Sequence, residues 1–570
     1  MEKNKNLNKF FVTKSYFYYV GLLLLFGFHF INNLFVVLKD TTPFMADASD
    51  YYIMSFYSWK TFISFVKHGD FHLLDSIFHT GLGGQLLTFL TIPFYSIFGV
   101  SHDIAIIANQ SLFLILILSI FGIGKILFNR NVGLLAAFAI SFYPSVFGFS
   151  RVYILTFPIL AISALCVYLL IKSDGFKNLK YSIYLGFAFA LGELLRPRFV
   201  IYIIFPVLYY MIKNIVILCN SQTEVPIKLL VKKIMINIFS SAVFSYILLF
   251  PWYSLDNISK YLNNQSLWPS PHFSKINSTF LYYLGILFKI QLRWFFASLF
   301  LVGLFMSLFD QDKKKKIYFL LVWFVFPLTL LSSFGLKDLS QLIIPLCVPI
   351  ALISAVGLER LLRQKHGKYA LFILLSFIIT QYFFISYDKM AYSLNRAYWR
   401  GYFERIVLSQ GLLHANNGDW KIDEITSTFN TRRNFDKEFN WKIDTLGNFK
   451  GFHISDNSED FIKILFIEFS GSPIINAVGE KIFFKSLPIT YFSLYPEYFD
   501  YKRLLSDIDF QHIVLGADYI VKFKVGPDGS EFAAKILNIF DENISKFEKL
   551  KSIETPWGEC LIYGRKVEKI

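Results

Sequence analysis

YFYYVGLLLLFGFHFINNLFVV, residues 16–37, is a predominantly apolar run of the length that crosses a lipid bilayer. No small-residue cleavage site follows it, so the run predicts a membrane span rather than a cleaved signal peptide. The rest of the chain has the same character: 55% of its 570 residues are hydrophobic and 17% are charged. Ordinary soluble domains carry about a quarter charged residues. The composition therefore excludes a soluble enzyme for most of the chain.

Ten more runs have enough apolar residues to cross a membrane. Two further apolar stretches, residues 84–99 and 279–292, are predicted to be helices that lie in the membrane interface. Counting 84–99 alone as a span would place the Lys313–Lys316 cluster outside, against the usual bias of basic residues. The predicted spans lie near 16–37, 103–128, 132–150, 152–171, 181–196, 198–217, 233–254, 294–309, 316–334, 340–358 and 368–387.

The net charge of +15 comes from short basic clusters between the apolar runs, not from one basic face. With the N-terminus inside and eleven spans, nearly all clusters of the membrane half lie on the cytoplasmic side, as the positive-inside rule requires. This distribution argues against nucleic acid as a partner. The four cysteines include no CxxC pair, so neither a disulfide framework nor a zinc site is supported. The basic clusters run from Lys3 to Lys14, Lys125 to Arg130, Lys172 to Lys180, Lys213 to Lys233, Lys313 to Lys316 and Arg360 to Lys368.

The last 180 or so residues have a different composition, with frequent charges and short strand-like runs such as KILFIEF, HIVLGADYIVKFK and CLIYGRKV. This pattern predicts a mixed α/β domain over 388–570, on the outer side of the membrane. The fold class is therefore a polytopic α-helical membrane protein, with about eleven transmembrane helices plus interfacial helices and a C-terminal α/β extracytoplasmic domain. The transmembrane domain covers 1–387, and 38–101 forms its outer loop with the interfacial helices.

KDTTPFMADASDYYIMSF, residues 39–56, places Asp40, Asp47 and Asp50 between hydrophobic stretches. The residues after Asp50 carry an apolar stripe at helical spacing (Tyr52, Phe56, Trp59, Ile63, Val66), which predicts an amphipathic helix in the interface. The stripe would face lipid or protein, and His68-Gly69-Asp70 would end the helix. In one interpretation Asp47 is only an N-cap, with Asp50 as helix-end charge. In the other, Asp47 faces a site at the membrane surface. The two roles are compatible.

Cationic residues recur on the same predicted outer face, where the positive-inside rule disfavours them. Arg151 lies between two spans, Arg196 and Arg198 flank Pro197 in GELLRPRFVIY, and two more positions precede later spans. Each taken singly is typical of a residue that extends toward the interface. Together they favour a site that neutralises an anion such as a lipid phosphate or pyrophosphate. The two later positions are Arg293 in FKIQLRWFF and Lys337 in SSFGLKDLSQLIIP.

The order of these pieces resembles the GT-C class of polyprenyl-phosphate-dependent glycosyltransferases, particularly bacterial relatives of protein O-mannosyltransferases and lipid A aminoarabinose transferases. The matching pieces begin with Asp47-x-x-x-Tyr51 and Gly69-Asp70 and extend over nearly the whole chain. Later pieces are KILFNRNVGLLAAFAISFYP, SRVYILTFPIL, GELLRPRFVIY, FPWY, LIIPLCVPIALISAVGLERL, ADYIVKF and CLIYGRK.

The resemblance implies a membrane glycosyltransferase that moves a sugar from a polyprenyl-phosphate donor to an acceptor hydroxyl, with inversion. Asp47 occupies the position of the proposed catalytic base, supported by Asp50 and Tyr51. The chain departs from the family in three places. It lacks a second acidic residue in its Arg151–Thr156 segment, a Lys in GLGGQLL, and an Arg-Tyr where it has Ser340-Gln341. The candidate phosphate-binding residues are Arg196, Arg293, Lys337, Arg151 and Arg198, and Trp252 and Tyr253 are candidates for sugar or lipid contact.

These expectations include the partners and the location of the protein. The partners are the polyprenyl-phosphate sugar donor, a glycan, lipid or protein acceptor, and membrane lipids. No cofactor or metal site is predicted to be required, and a divalent cation near Asp47 and Asp50 stays an open alternative. The location is the cytoplasmic membrane, with the site and the C-terminal domain outside. The alternative functions are a transporter or flippase for lipid-linked glycans, and a non-catalytic relative that binds glycolipid.

Overall fold

A computed structural model of the chain divides into two compact units. The first unit contains Met1–Leu38 and Ser55–His414, and the second contains Lys39–Met54 and Ala415–Ile570. The predicted domain boundary at 387/388 stays a prediction. The structure describes residues 2–42, 47–69, 84–220, 227–252, 276–308, 310–334, 337–387, 415, 419–429, 462–467, 489–493, 517–524, 538–555 and 558–566.

The first unit is helical throughout its described residues, and helix α2 contributes to both units. Two short irregular helices interrupt the series: a π-helical turn at Leu287–Gln291 and a 3-10 helix at Lys337–Leu346. The helices are α1 Glu2–Lys39, α2 Asp47–His68, α3 Gln85–Phe98, α4 His102–Gln110, α5 Leu112–Leu127, α6 Arg130–Ser141, α7 Pro144–Ser150, α8 Thr156–Lys172, α9 Leu179–Leu195, α10 Val200–Asn220, α11 Ile227–Leu249, α12 Ile276–Ile286, α13 Arg293–Leu308, α14 Gln311–Ser333, α15 Cys347–Leu362 and α16 Gly367–Tyr387.

Six of the described helical segments are long and apolar enough to cross a membrane, or up to eight if each of two bent pairs counts as one span. This establishes a mostly helical membrane protein, while the predicted number of eleven stays a prediction. The expected span at 132–150 is broken, because α6 and α7 meet at 66°. The stretch expected to be an interfacial helix at 279–292 joins α13 through a bend of 113°. The second bend lies at the candidate site residue Arg293, and the first is followed by the short helix α7, which ends next to Arg151.

Glycines allow the central helices to approach closely. A Cβ on Gly124 of α5 would lie 2.6 Å from the Cα of Gly133 in α6. A Cβ on Gly357 of α15 would lie 2.7 Å from the Cα of Gly303 in α13. Such contacts between small residues provide van der Waals packing in a membrane, where the hydrophobic effect between helices is weak. Helix α15 is fully buried through its apolar portion and forms the centre of the first unit.

The second unit contains a five-stranded sheet in the order β2-β1-β3-β5-β4. Strand β1 pairs in parallel with β2 and β3, and β5 pairs antiparallel with β3 and β4. The buried side chains of this sheet include Ile520, Val521 and Ile562. The elements are α17 Ile422–Thr428, β1 Ile462–Ile467, β2 Ile489–Ser493, β3 Tyr519–Lys524, a 3-10 turn Ile544–Lys546, β4 Phe547–Thr555 and β5 Gly558–Arg565.

Candidate functional site

The helix predicted after Asp47 is present and begins at Asp47 itself, while its place in the membrane interface stays a prediction. Asp47, Asp50 and Tyr51 therefore lie at the helix start, where the positive end of the helix dipole favours carboxylates. The side chain of Asp47 lies outside the part that the structure describes, and Asp50 is exposed. The helix ends as predicted at Gly69, whose φ of +68° and bond from its N–H to the carbonyl of Phe65 form a left-handed cap.

The burial of the side chains of α2 bears on the direction that the sequence leaves open for its apolar stripe. The buried side chains of its later turns are the hydroxyl residues Ser55, Ser58 and Thr61, which are at most 5% exposed. The predicted apolar stripe is buried at Tyr52, half-buried at Trp59 and exposed at Val66. A helix in the membrane interface can turn apolar side chains to lipid and hydrogen-bond its polar face to the protein.

The turn from Ser150 to Thr156 is anchored on several helices. The buried Arg151 donates from Nε to Oδ1 of Asn33 at 2.8 Å, and from a terminal nitrogen to the hydroxyls of Tyr382 at 2.8 Å and Ser386 at 3.2 Å. Its guanidinium also lies 4.8 Å from the centre of the Phe147 ring. These protein partners from α1, α7 and α16 show that Arg151 has a structural role. Its predicted phosphate contact stays a prediction.

Other residues of the turn from Ser150 to Thr156 also hydrogen-bond to neighbouring helices. The carbonyl of Val152 accepts from Asn109 Nδ2 at 2.8 Å, and the hydroxyls of Tyr153 and Thr91 lie 2.7 Å apart. Thr156 donates to Oε1 of Gln341 at 2.9 Å. The turn therefore connects α3, α4 and the 3-10 helix.

Arg196 and Arg198 lie half-exposed in the turn between α9 and α10. The buried Glu193 shapes this turn, because its Oε1 accepts from the backbone N–H of Val200 at 3.0 Å. The carbonyl of Leu195 accepts from the N–H of Gly84 at 2.9 Å. These two hydrogen bonds hold the turn that was predicted to lie on the outer face. Arg196 and Arg198 are half-exposed in it.

Arg293 lies at the bend between the π-helical turn and α13. Its φ of +62° is in the left-handed region, which is costly for a residue with a side chain. Its Nε atom is buried and makes no hydrogen bond within the described residues. Backbone strain together with an unsatisfied buried donor is typical of ligand sites, where a bound group supplies the missing interaction.

Lys337 begins the 3-10 helix, which brings several candidate segments together. Its side chain lies outside the described part of the chain. The 3-10 helix packs against α8 and the π-helical turn, and its Leu342 carbonyl accepts from the Tyr202 hydroxyl at 2.9 Å. The Arg151 turn, the start of α10 and the Arg293 bend therefore lie around one element. The candidate base Asp47 belongs to the other compact unit.

Of the two aromatic candidates for sugar or lipid contact, Trp252 and Tyr253, the structure describes only Trp252. Trp252 is buried, and its ring stacks edge-on against Phe89 of α3 at 5.7 Å between ring centres. Its predicted contact with sugar or lipid stays a prediction. Tyr253 lies outside the described residues.

Sequence reasoning missed the partners that hold these segments. Asn33, Asn109 and Tyr382 lie inside predicted spans, and the hydrogen bonds of Tyr153 cross to α3. These residues could have been suspected because they are polar residues within apolar runs, and such residues usually hydrogen-bond to a partner inside the protein. Among the described residues, no group of three or more His, Cys, Asp and Glu side chains could hold a metal ion.

Comparison with known proteins supports the resemblance seen in the sequence. Residues 86–244 match the model of the dolichyl-phosphate-mannose-protein mannosyltransferase family. No curated protein sequence matches the chain. The matched region extends from α3 into α11 and contains the Arg151 and Arg196 turns.

Solved structures match over almost the whole chain. The oligosaccharyltransferase AglB from Archaeoglobus fulgidus, in complex with an inhibitory peptide and a dolichol-phosphate, is 11% identical with a TM-score of 0.54, covering 98% of this chain and 75% of AglB. ArnT from Cupriavidus metallidurans bound to undecaprenyl phosphate is 11% identical with a TM-score of 0.57, covering 95% of this chain and 98% of ArnT. The apo state of ArnT matches with a TM-score of 0.56 at 10% identity.

At this level of identity the likeness establishes the fold. The chain has the fold of the GT-C class, and the resemblance stated from its sequence is confirmed.

Proposed function

We propose that this protein is a membrane glycosyltransferase that moves a sugar from a polyprenyl-phosphate donor to an acceptor hydroxyl, with inversion at the anomeric carbon. The main support is the GT-C fold across at least 95% of the chain, together with the family match over residues 86–244. ArnT and AglB were solved with undecaprenyl phosphate and dolichol-phosphate respectively. The proposal carries that lipid-phosphate chemistry to this chain.

The leaving group of such a transfer is a lipid phosphate, so the site needs cations near its oxygens. Arg293 is the first candidate, because its buried Nε makes no hydrogen bond within the described residues and its backbone is strained. Arg196, Arg198 and Lys337 belong to segments that lie with it around the 3-10 helix. Arg151 is the weakest candidate, because its side chain already has protein partners.

The acceptor hydroxyl must lose its proton as it attacks the anomeric carbon. We assign Asp47 as the base, at the start of α2, with Asp50 and Tyr51 in support. A positioned carboxylate in this role contributes about 10²- to 10⁴-fold to the rate. Attack from the face opposite the phosphate gives inversion. The site and the C-terminal unit would face the outer side of the cytoplasmic membrane, and the acceptor would be a glycan, a lipid or a protein.

Asp47→Asn tests the assignment against a purely structural role. Asn stabilises a helix start about as well as Asp, but it cannot accept the proton. We expect turnover to fall by about 10²-fold or more, while expression and binding of undecaprenyl phosphate persist. Sugar transfer from a panel of undecaprenyl-phosphate sugars, assayed in liposomes, measures this.

Asp50→Asn is the matched control and is expected to cost much less, because that carboxylate acts as helix-end charge. A fully active Asp47→Asn protein would assign Asp47 to the helix start alone. Movement of lipid-linked sugar across the bilayer without transfer to any acceptor would instead support a transporter.

A further inference from the structure

A chain of buried hydroxyls connects α2 to the helices behind it. The Oγ of Ser55 lies 2.9 Å from the hydroxyl of Tyr95 in α3. The hydroxyl of Tyr153 lies 2.7 Å from Oγ1 of Thr91, also in α3, and interacts with Ser55 as well. All four side chains are buried. Buried hydroxyls that satisfy one another fix a single packing arrangement, because any shift leaves a polar group unpaired.

One member of this cluster, Ser55, lies on the helix that begins with the candidate base. Ser55 is eight positions after Asp47, or about 12 Å along the axis of an α-helix. One turn further on, Nε1 of Trp59 donates to Oγ of Ser96 at 3.2 Å. Two consecutive turns of α2 are thus bonded to α3, which sets both the rotation of α2 about its axis and its position along that axis.

The far end of the cluster is itself immobilised. Tyr153 belongs to the turn that Asn109, Arg151 and Thr156 attach to neighbouring helices. Thr91 donates to the carbonyl of Leu87 within α3. A helix bonded to such a rigid support can hold its first turn in one place, which a base requires because a displacement of about 1 Å costs up to about 10²-fold in rate.

We propose that Ser55, Thr91, Tyr95 and Tyr153 are positioning residues that hold α2, and thereby Asp47, in the geometry for proton removal. The inference rests on the proposed function. It assigns a role to four uncharged side chains, none of which touches the reacting atoms. The segment containing Tyr153 supplies a hydroxyl to the cluster.

Matched substitutions separate the hydroxyl from the rest of each side chain. Thr91→Val and Tyr95→Phe keep the shape and remove the hydroxyl, while Thr91→Ser keeps the hydroxyl. We expect kcat to fall about 10- to 100-fold in the first two, with KM for the donor and binding of undecaprenyl phosphate unchanged. Thr91→Ser should retain most of the activity. Tyr209→Phe is the control, because that hydroxyl donates to the carbonyl of Lys315 and has no link to α2.

A second measurement does not depend on activity. Spin labels at Lys60 of α2 and Ile97 of α3, both exposed, should give a narrow distance distribution in the otherwise unchanged protein and a broad one in Thr91→Val and Tyr95→Phe. A narrow distribution in these variants, or a kcat no lower than in Tyr209→Phe, would overturn the positioning role. Absence of sugar transfer by the unmodified protein would instead overturn the proposed function, whatever the distances show.

Discussion

Two breaks between helices of the first unit each contain an arginine, and the surroundings of the two arginines differ. In the turn from Ser150 to Thr156, Arg151 is completely buried and donates to Asn33, Tyr382 and Ser386. At the bend before α13, Arg293 has a φ of +62° and a buried Nε without a hydrogen bond among the described residues. A satisfied network stabilises the fold, whereas a strained and unsatisfied cation is suited to a ligand. We therefore distinguish a structural arginine from a candidate binding arginine.

The largest effect on stability is expected at Arg151. Arg151→Ala would leave a cavity and remove the donor for Asn33, Tyr382 and Ser386. The free energy of unfolding should therefore fall by about 3 kcal/mol or more. Thermal unfolding in detergent measures this. Arg151→Lys keeps the charge but not the planar set of donors, so an intermediate loss is expected. If Arg151→Ala left the stability unchanged and weakened donor binding, Arg151 would have the binding role proposed for Arg293.

At Arg293 the main loss should be in donor binding. Arg293→Ala removes a charge-assisted partner of the phosphate, so the affinity for undecaprenyl phosphate should fall by about 1.5–3 kcal/mol. Isothermal titration or a lipid-binding assay in micelles measures this. Unchanged affinity would show that Arg293 only extends toward the interface.

Arg293→Gly is the matched control for the backbone. Glycine adopts a positive φ without strain, so this variant should be about 1 kcal/mol more stable than Arg293→Ala. Both variants lack the guanidinium and should lose donor affinity equally. A difference in affinity between them would mean that the backbone conformation, and not the charge, governs binding.

The smallest effect is expected at Thr156. Thr156→Val keeps the side-chain shape but leaves Oε1 of Gln341 without its 2.9 Å donor, which should destabilise the protein by about 1–2 kcal/mol. Donor affinity should stay the same. Thermal unfolding measures the loss of stability, and a lipid-binding assay measures the affinity for undecaprenyl phosphate. A fall in affinity would show that the Thr156 turn and the Arg293 bend are coupled.

Much of the fold could be predicted from local patterns. The apolar runs predicted membrane helices, and the stretch after Asp47 predicted α2 and its end at Gly69. The runs KILFIEF, HIVLGADYIVKFK and CLIYGRKV overlap β1, β3 and β5. A fourth strand-like run, KIFFKSL at 481–487, lies outside the described residues. Strands β2 and β4 were missed. In β4 a bulge between Lys549 and Lys551 interrupts the alternation, and its sequence is rich in charge.

Less of the candidate site could be predicted from the sequence. The candidate cations were chosen from their predicted position on the outer face, where the positive-inside rule disfavours them. The hydrogen bonds that satisfy Arg151 could not be predicted in this way, because Asn33 and Tyr382 lie more than a hundred residues from Arg151. The packing face of α2 could not be predicted, because the burial of Ser55, Ser58 and Thr61 depends on the helices that pack against α2.

The sequence by itself determined the membrane environment, the helical periodicity and the acidic helix start at Asp47, because these depend on local composition and on spacing along one helix. Only the tertiary structure decided which polar side chains meet, which arginine is satisfied and where the helices break. Those properties arise from hydrogen bonds and close packing between distant segments. In an apolar membrane such contacts replace the hydrophobic effect as the main source of specificity between helices.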